Sequence, residues 1–144
     1  MQEQLRLQNQ LCFPLYAVSK AVTRLYLPYL TPLGITYTQY VVFLVLFEQD
    51  GIRVKELGKR LFLDSGTLSP LLEKLEKQGY VEKGKSLDKR ERIVTLTAKG
   101  KALEAALAPI PFQIASRLQL NEDEAKTLYT LSYRLLNQLE EDHE

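Results

Sequence analysis

The sequence predicts a mainly α fold with a small β-hairpin (α+β): a winged helix-turn-helix with N- and C-terminal helices forming a dimerisation domain. Three observations predict it. Residues 54–100 hold two short helical patterns joined by a tight turn, then two alternating strands with a charged tip. The helical patterns at the two ends carry more apolar surface than a small winged helix can cover, which pairing with a second subunit would bury. The charge is also unevenly spread. Residues 53–101 hold 13 Lys/Arg against 7 Asp/Glu, whereas residues 118–144 hold 2 against 7. A whole-chain net charge of +1 conceals this basic middle.

In chain order, residues 5–30 read as one long helix. Leu5, Leu11, Leu15, Val18, Val22 and Leu25 form roughly one stripe, and the regular part is expected to start near Gln10 because Pro14 favours a first turn. Pro28 and Pro32 bend or end this helix, and Gly34 fits its exit. Thr36 and Gln39 have capping-box spacing and open a second helix, apolar nearly all round and so expected deep in the core, which stops at Asp50-Gly51. Residues 52–54 suit a short strand. Residues 55–62 form the first helix of the turn motif. Asp64 or Ser65 caps the next, which runs to Gln78, stops at Gly79 and turns Leu68, Leu71, Leu72 and Leu75 inward. Residues 80–84 and 92–97 pair as strands around a tip at 84–91. Thr97 caps a helix to about Ala108, broken by Pro109 and Pro111 before it resumes to Leu120. Asn121 and Glu124 cap a final helix to Glu140. The expected organisation is one domain, with residues 1–35 and 98–144 as dimerisation helices and 36–97 as the DNA-binding part.

At 144 residues the chain is long enough for one domain with a real core. No apolar run approaches the ~18 residues of a membrane span. The N-terminus is polar and lacks a signal-peptide core, so the expected location is cytoplasmic. With one cysteine, Cys12, no intrachain disulfide or thiolate metal cluster can form, and no metal or other cofactor is expected. Nothing points to an enzyme. His143, the one histidine, sits in the acidic tail, and no Ser-His-Asp set or Gly-rich phosphate loop is present.

Four stretches carry a resemblance: NQLCFPLYAVSKAVTRLY at 9–26, LGITYTQYVVFLVLFE at 33–48, LFLDSGTLSPLLEKLEKQGYV at 61–81, and DKR at 88–90 followed by LTAKG at 96–100. The chain resembles the MarR transcriptional regulators over nearly its whole length. The pairing of LCF with ITYTQY narrows the likeness to the organic hydroperoxide resistance regulators and a sister group of broader redox and virulence regulators. The resemblance implies a homodimeric repressor of a palindromic operator in double-stranded DNA. It also implies an N-terminal cysteine whose oxidation by organic hydroperoxides releases the DNA. Leu27 stands where a basic residue is common in the resembled group, and the tip carries more lysine than usual.

A recognition helix needs small polar groups near its N-terminus to reach base edges, with cations near phosphates. Ser65, Thr67 and Ser69 suit the first task, Lys74 and Lys77 the second. The plainer reading is that Ser65 and Thr67 only cap the helix. Lys83, Lys85, Lys89, Arg90 and Arg92 charge the wing. Arg90 matches the family's minor-groove arginine, and Asp88 is placed to orient it.

Cys12, Ser19 and Tyr26 recur at seven-residue spacing along one helix face, with Tyr16 one turn after Cys12. A thiol reacts as its thiolate, and tyrosine hydroxyls can favour that form without adding charge. The resemblance assigns this role to Tyr26 and Tyr37, acting across the subunit interface, with Tyr16 in support. On spacing alone, a lone cysteine on an apolar helix reads as inert core. Without a second cysteine, a sulfenic acid at Cys12 ends as a mixed disulfide with a low-molecular-weight thiol, a sulfenamide, an overoxidised acid or a bond between two Cys12. The competing functions are a MarR regulator released by a small aromatic ligand, a thiol peroxidase, and an architectural DNA-binding protein.

Overall fold

The computed structural model describes residues 1–85 and 91–141, which divide into two compact units, Met1–Ile110 and Pro111–Glu144. The first unit contains the helix-turn-helix. Two 3₁₀ turns, Glu3–Leu5 and Leu7–Asn9, precede α1 (Cys12–Leu25). The single helix expected over residues 5–30 is thus broken. Pro14 falls third in α1, in the turn where its missing N–H has no helical bond to make. Pro28 falls second in α2 (Leu27–Leu30), and Pro32 lies in a 3₁₀ turn, Thr31–Leu33. Gly34 then takes a φ of 72° and turns the chain.

The capping box is present as read. The Thr36 hydroxyl accepts from the Gln39 N–H at 3.3 Å, and Gln39 Oε1 accepts from the Thr36 N–H at 3.0 Å. It starts α3 (Tyr37–Glu48), whose Tyr40, Val42, Phe43, Val45 and Leu46 are all buried. Burying side chains of this size stabilises the fold by about 1.5–3 kcal/mol each, which makes α3 the axis of the unit.

A three-stranded antiparallel sheet follows in the order β1-β3-β2, formed by β1 (Ile52–Arg53), β2 (Val81–Lys85) and β3 (Arg92–Leu96). Ile52 pairs with Val94, and Val81 with Leu96. Asp50 fastens the end of the central strand, its carboxylate accepting from the Leu96 N–H at 2.8 Å. Between β1 and β2 lie α4 (Val54–Leu61) and α5 (Ser65–Lys77). Leu57 of α4 and Leu68, Leu72 and Leu75 of α5 are buried, and Leu71 is half-buried. Thr97 caps α6 (Ala98–Leu107). Its hydroxyl accepts from the Gly100 N–H and donates to the Gly79 carbonyl at 2.6 Å, so one side chain joins the helix start to the end of the α5 turn.

α7 (Ile110–Leu118) crosses from the first unit into the second, which otherwise holds α8 (Glu122–Glu141). Asn121 and Glu124 exchange side-chain and backbone bonds at 2.8 and 3.0 Å, the expected cap. Leu128, Leu131, Leu135 and Leu139 of α8 are exposed, as is Phe112. No single helix among the described residues is long and apolar enough to cross a membrane.

Candidate nucleic-acid interface and thiol site

The α4–α5 corner is tight for identifiable reasons. Phe62 turns the chain with a φ of 56°, a left-handed value uncommon for a bulky residue. The Leu63 N–H then returns to the Gly58 carbonyl at 2.9 Å. A Cβ on Gly58 would stand 2.9 Å from the Leu63 carbonyl oxygen and 3.4 Å from Leu68, so only glycine fits this approach. The cap of α5 is Asp64, whose carboxylate accepts from the Thr67 N–H at 2.8 Å. Ser65 and Thr67 are therefore not needed as caps. Ser65, Thr67 and Ser69 are exposed, and among the described residues nothing hydrogen-bonds their hydroxyls. Lys74 and Lys77 are exposed one to three turns further along.

The wing is tied to this helix by Glu76, which accepts from the Lys83 N–H at 3.1 Å. At its base Lys85 pairs directly with Arg92 across the strands. Like charges in that position repel, and a polyanion beside them would relieve the repulsion. Asp88, Lys89 and Arg90 lie outside the described residues. Arg53 pairs with Glu91 at 3.2 Å and Arg60 with Glu48 at 2.5 Å; such exposed pairs contribute little stability. On α4, Lys55 and Lys59 are exposed one turn apart, and no ion pair engages either among the described residues. The sequence reading passed over these two lysines, although their i, i+4 spacing was visible.

Cys12 is exposed and is the first residue of α1. Tyr16, one turn on, is 61% exposed, with the Lys20 ammonium 5.1 Å from its ring centre. The other tyrosines lie elsewhere. Tyr26 and Tyr37 meet edge to face with ring centres 4.8 Å apart, and Tyr40 lies 5.4 Å from Tyr26 and 5.9 Å from Tyr37. Burial, with the neighbouring phenols, pushes the Tyr26 hydroxyl up to about 12, and burial and Tyr37 also push Tyr40 upward. Tyr26 and Tyr40 therefore hold their protons and offer O–H donors. Tyr40 was missed as a site residue, although it follows Tyr37 by three in ITYTQY and so shares its helix face. Fourteen residues at 1.5 Å each put Cys12 about 21 Å from Tyr26 along α1. Within one chain the structure brings Cys12 to Tyr16 but not to Tyr26 or Tyr37.

Comparison with known proteins bears on this arrangement. The MarR family model matches residues 35–91. The organic hydroperoxide resistance transcriptional regulator of Bacillus subtilis is 39% identical, over 95% of this chain and 94% of its own. The HTH-type transcriptional regulator SarZ of Staphylococcus saprophyticus is 42% identical, over 83% and 82%. Among solved structures, reduced AbfR bound to DNA superposes with a TM-score of 0.77 at 38% identity, covering 95% of this chain and 96% of that one. Overoxidised AbfR bound to DNA gives 0.76 at 38%, covering 95% and 97%; AbfR is a protein of Staphylococcus epidermidis. The chain belongs to the MarR family and is a transcriptional regulator of the winged-helix type, not an enzyme.

Proposed function

We propose that this regulator is a homodimeric repressor that binds a palindromic operator through α5 and the wing, and releases it when an organic hydroperoxide oxidises Cys12. The observation that carries the sensing half is the 21 Å span, about fourteen helical rises, between the thiol and the Tyr26–Tyr37 pair. A sulfur at one end of α1 and phenol donors at the other form a complete site only when a second copy lies alongside. Residues 1–35 and 98–144 are the surface proposed for that copy. No residue of α1 is buried within the chain, and the leucines of α8 stand exposed.

The DNA-binding half rests on the exposed hydroxyls of Ser65, Thr67 and Ser69 on a helix whose cap is already supplied. Lys74 and Lys77 would meet phosphates, and Asp88, Lys89 and Arg90 of the wing the adjacent minor groove. Relatives solved on DNA, AbfR among them, support this use of the fold.

The chemistry is a displacement. The Cys12 thiolate attacks the terminal peroxide oxygen, the O–O bond breaks, and the leaving alkoxide takes a proton to become an alcohol. Cys12 becomes a sulfenic acid, oxidised by two electrons. A low-molecular-weight thiol then condenses with it, forming a mixed disulfide and water. That AbfR was captured on DNA in an overoxidised form favours the mixed disulfide, rather than an overoxidised acid, as the releasing species. Tyr26 and Tyr37 of the second copy, with Tyr16 of the same helix, supply the hydrogen bonds that hold the thiolate. This reading places the regulator in the cytoplasm, with its operator.

A gel shift on the DNA upstream of the protein's own gene tests it, using reduced and cumene hydroperoxide-treated protein, with a small thiol present, for wild type and Cys12→Ser. Wild type should lose the duplex on oxidation and Cys12→Ser should keep it. Peroxide-driven release of Cys12→Ser would refute the mechanism, and release of that variant by phenolic compounds would favour ligand-gated regulation instead.

A further inference from the structure

Gln39 is the only buried polar or charged residue among the described residues, fully enclosed among the apolar core residues of α3. A buried amide destabilises unless its hydrogen bonds are made. One of them is the local cap to the Thr36 N–H. The other is not local: Gln39 Nε2 donates to Gln78 Oε1 at 3.1 Å. Gln78 is the residue that ends α5. Its own amide donates to the Gly34 carbonyl at 2.9 Å, and its carbonyl accepts from the Lys99 ammonium at 2.6 Å. Beside them the Tyr80 hydroxyl donates to the Leu33 carbonyl at 3.3 Å. The C-terminal end of the recognition helix is thereby fastened to the short segment, residues 33–36, from which α3 starts.

The same first turn of α3 carries the phenols. Tyr37 lies two residues before Gln39 and Tyr40 one after, and both pack on Tyr26. Just beyond the end of α5 the contact with α3 is aromatic, Phe43 edge-on to Tyr80 at 5.4 Å. Apolar contacts let helices slide, whereas amide hydrogen bonds are directional and fix register.

We propose that Gln39 and Gln78 are positioning residues that transmit movement of the Tyr26–Tyr37–Tyr40 cluster to the recognition helix. This rests on the thiol-sensing reading above and identifies the route by which it reaches DNA. Removing the amide pair uncouples the two ends: the thiol is still oxidised, and the recognition helix no longer responds.

The experiment uses the full-length protein, a duplex from upstream of its own gene, cumene hydroperoxide and a small thiol. Cys12 modification is followed by mass spectrometry and DNA affinity by fluorescence anisotropy. Gln78→Met keeps side-chain length and removes both amide bonds. It should leave the rate of Cys12 oxidation and the affinity of the reduced protein near wild type. It should also shrink the oxidised-to-reduced affinity ratio by about tenfold, within the usual range of allosteric coupling. Gln39→Met should do the same, and the double variant no more than either single, because one link is being cut. If Gln39→Met fails to fold, Gln78→Met, at a half-buried helix end, decides alone. Wild-type-sized release by Gln78→Met overturns the link while leaving the sensing reading intact. Wild type that keeps DNA with Cys12 fully modified sinks both.

Discussion

Asp64 separates two effects that a recognition helix ordinarily combines. Its carboxylate caps α5 through the Thr67 N–H at 2.8 Å. It also places a negative charge at the end of the helix proposed to approach DNA. Asp64→Ala removes both; Asp64→Asn keeps the cap, since asparagine caps as well as aspartate, and removes only the charge. Losing the cap costs about 1 kcal/mol. For a chain of this size that lowers Tm by about 2–4 °C per kcal/mol. The first turn then frays, and because 1 kcal/mol is about fivefold in an equilibrium, operator affinity of Asp64→Ala should fall by up to about fivefold below that of Asp64→Asn, which shares the charge loss but keeps the cap. Asp64→Asn should melt close to wild type. It should bind DNA more tightly, by about twofold to fivefold at low salt, with the gain fading as salt screens the lost repulsion. Differential scanning fluorimetry at fixed protein concentration and anisotropy across a salt series read both quantities. Equal Tm values for Ala, Asn and wild type, or equal DNA affinity of the two variants, would refute the assignment of Asp64 as the cap that orders the reading surface.

Other perturbations follow from the same geometry. A Cβ at Gly100 would lie 2.2 Å from the Tyr80 carbonyl oxygen, so Gly100→Ala must push α6 off β2. The clash outweighs the ~1 kcal/mol gain in helix propensity, and a net loss of about 2 kcal/mol is expected; a Tm equal to or above wild type would contradict so close an approach. Tyr26 is neutral when buried and its hydroxyl is pushed up to about 12, so the folded chain holds this proton more tightly than an unfolded chain titrating near 10.0. Its contribution is intact below pH 10.0 and is lost as pH rises from there toward 12, and urea melts across that window should show a flatter decline for Tyr26→Phe. Lys74→Ala and Lys77→Ala should each reduce the slope of log affinity against log salt by about 0.9 if each meets a phosphate; an unchanged slope removes that lysine from the interface.

What the sequence revealed was mostly local. The Thr36/Gln39 capping box, the Asp50-Gly51 stop, the Thr97 cap and the Asn121/Glu124 cap were legible because each is decided within four residues by backbone groups that need partners. The helix over residues 5–30 was misread because an apolar stripe continues through Pro14, Pro28 and Pro32, while the backbone must break at each proline or hold it in a first turn. Asp64 and Ser65 were equal candidates for the cap, both being good cap residues; the turn made by Phe62 settles which one enters the helix. In the site, the recognition-helix hydroxyls and the Cys12–Tyr16 turn were readable from spacing. Tyr40 and Gln78 were not, because what brings them to Tyr26 and Gln39 is the packing of α3 against elements distant in sequence.

The departures from local rules coincide with the places where function is proposed. An apolar core helix carries one buried amide, a helix corner uses phenylalanine in a left-handed conformation, and a fourteen-residue helix buries none of its residues within the chain. The last of these constrains the mechanism most. A helix of that length is marginal in water without tertiary packing, and leaving Leu11, Phe13, Leu15 and Val18 wet is unfavourable. The proposed second copy over α1 would remove the cost, and in doing so it would enclose the Cys12 side chain among the groups that hold the dimer together. Adding a bulky substituent to sulfur at a packed interface displaces whatever faces it, and in the proposed dimer the facing groups would be the phenols of the first turn of α3. On the proposed mechanism the oxidant has only to change the size of one side chain; the dimer would supply the leverage, and the amide pair at the end of α5 would set where the movement is delivered.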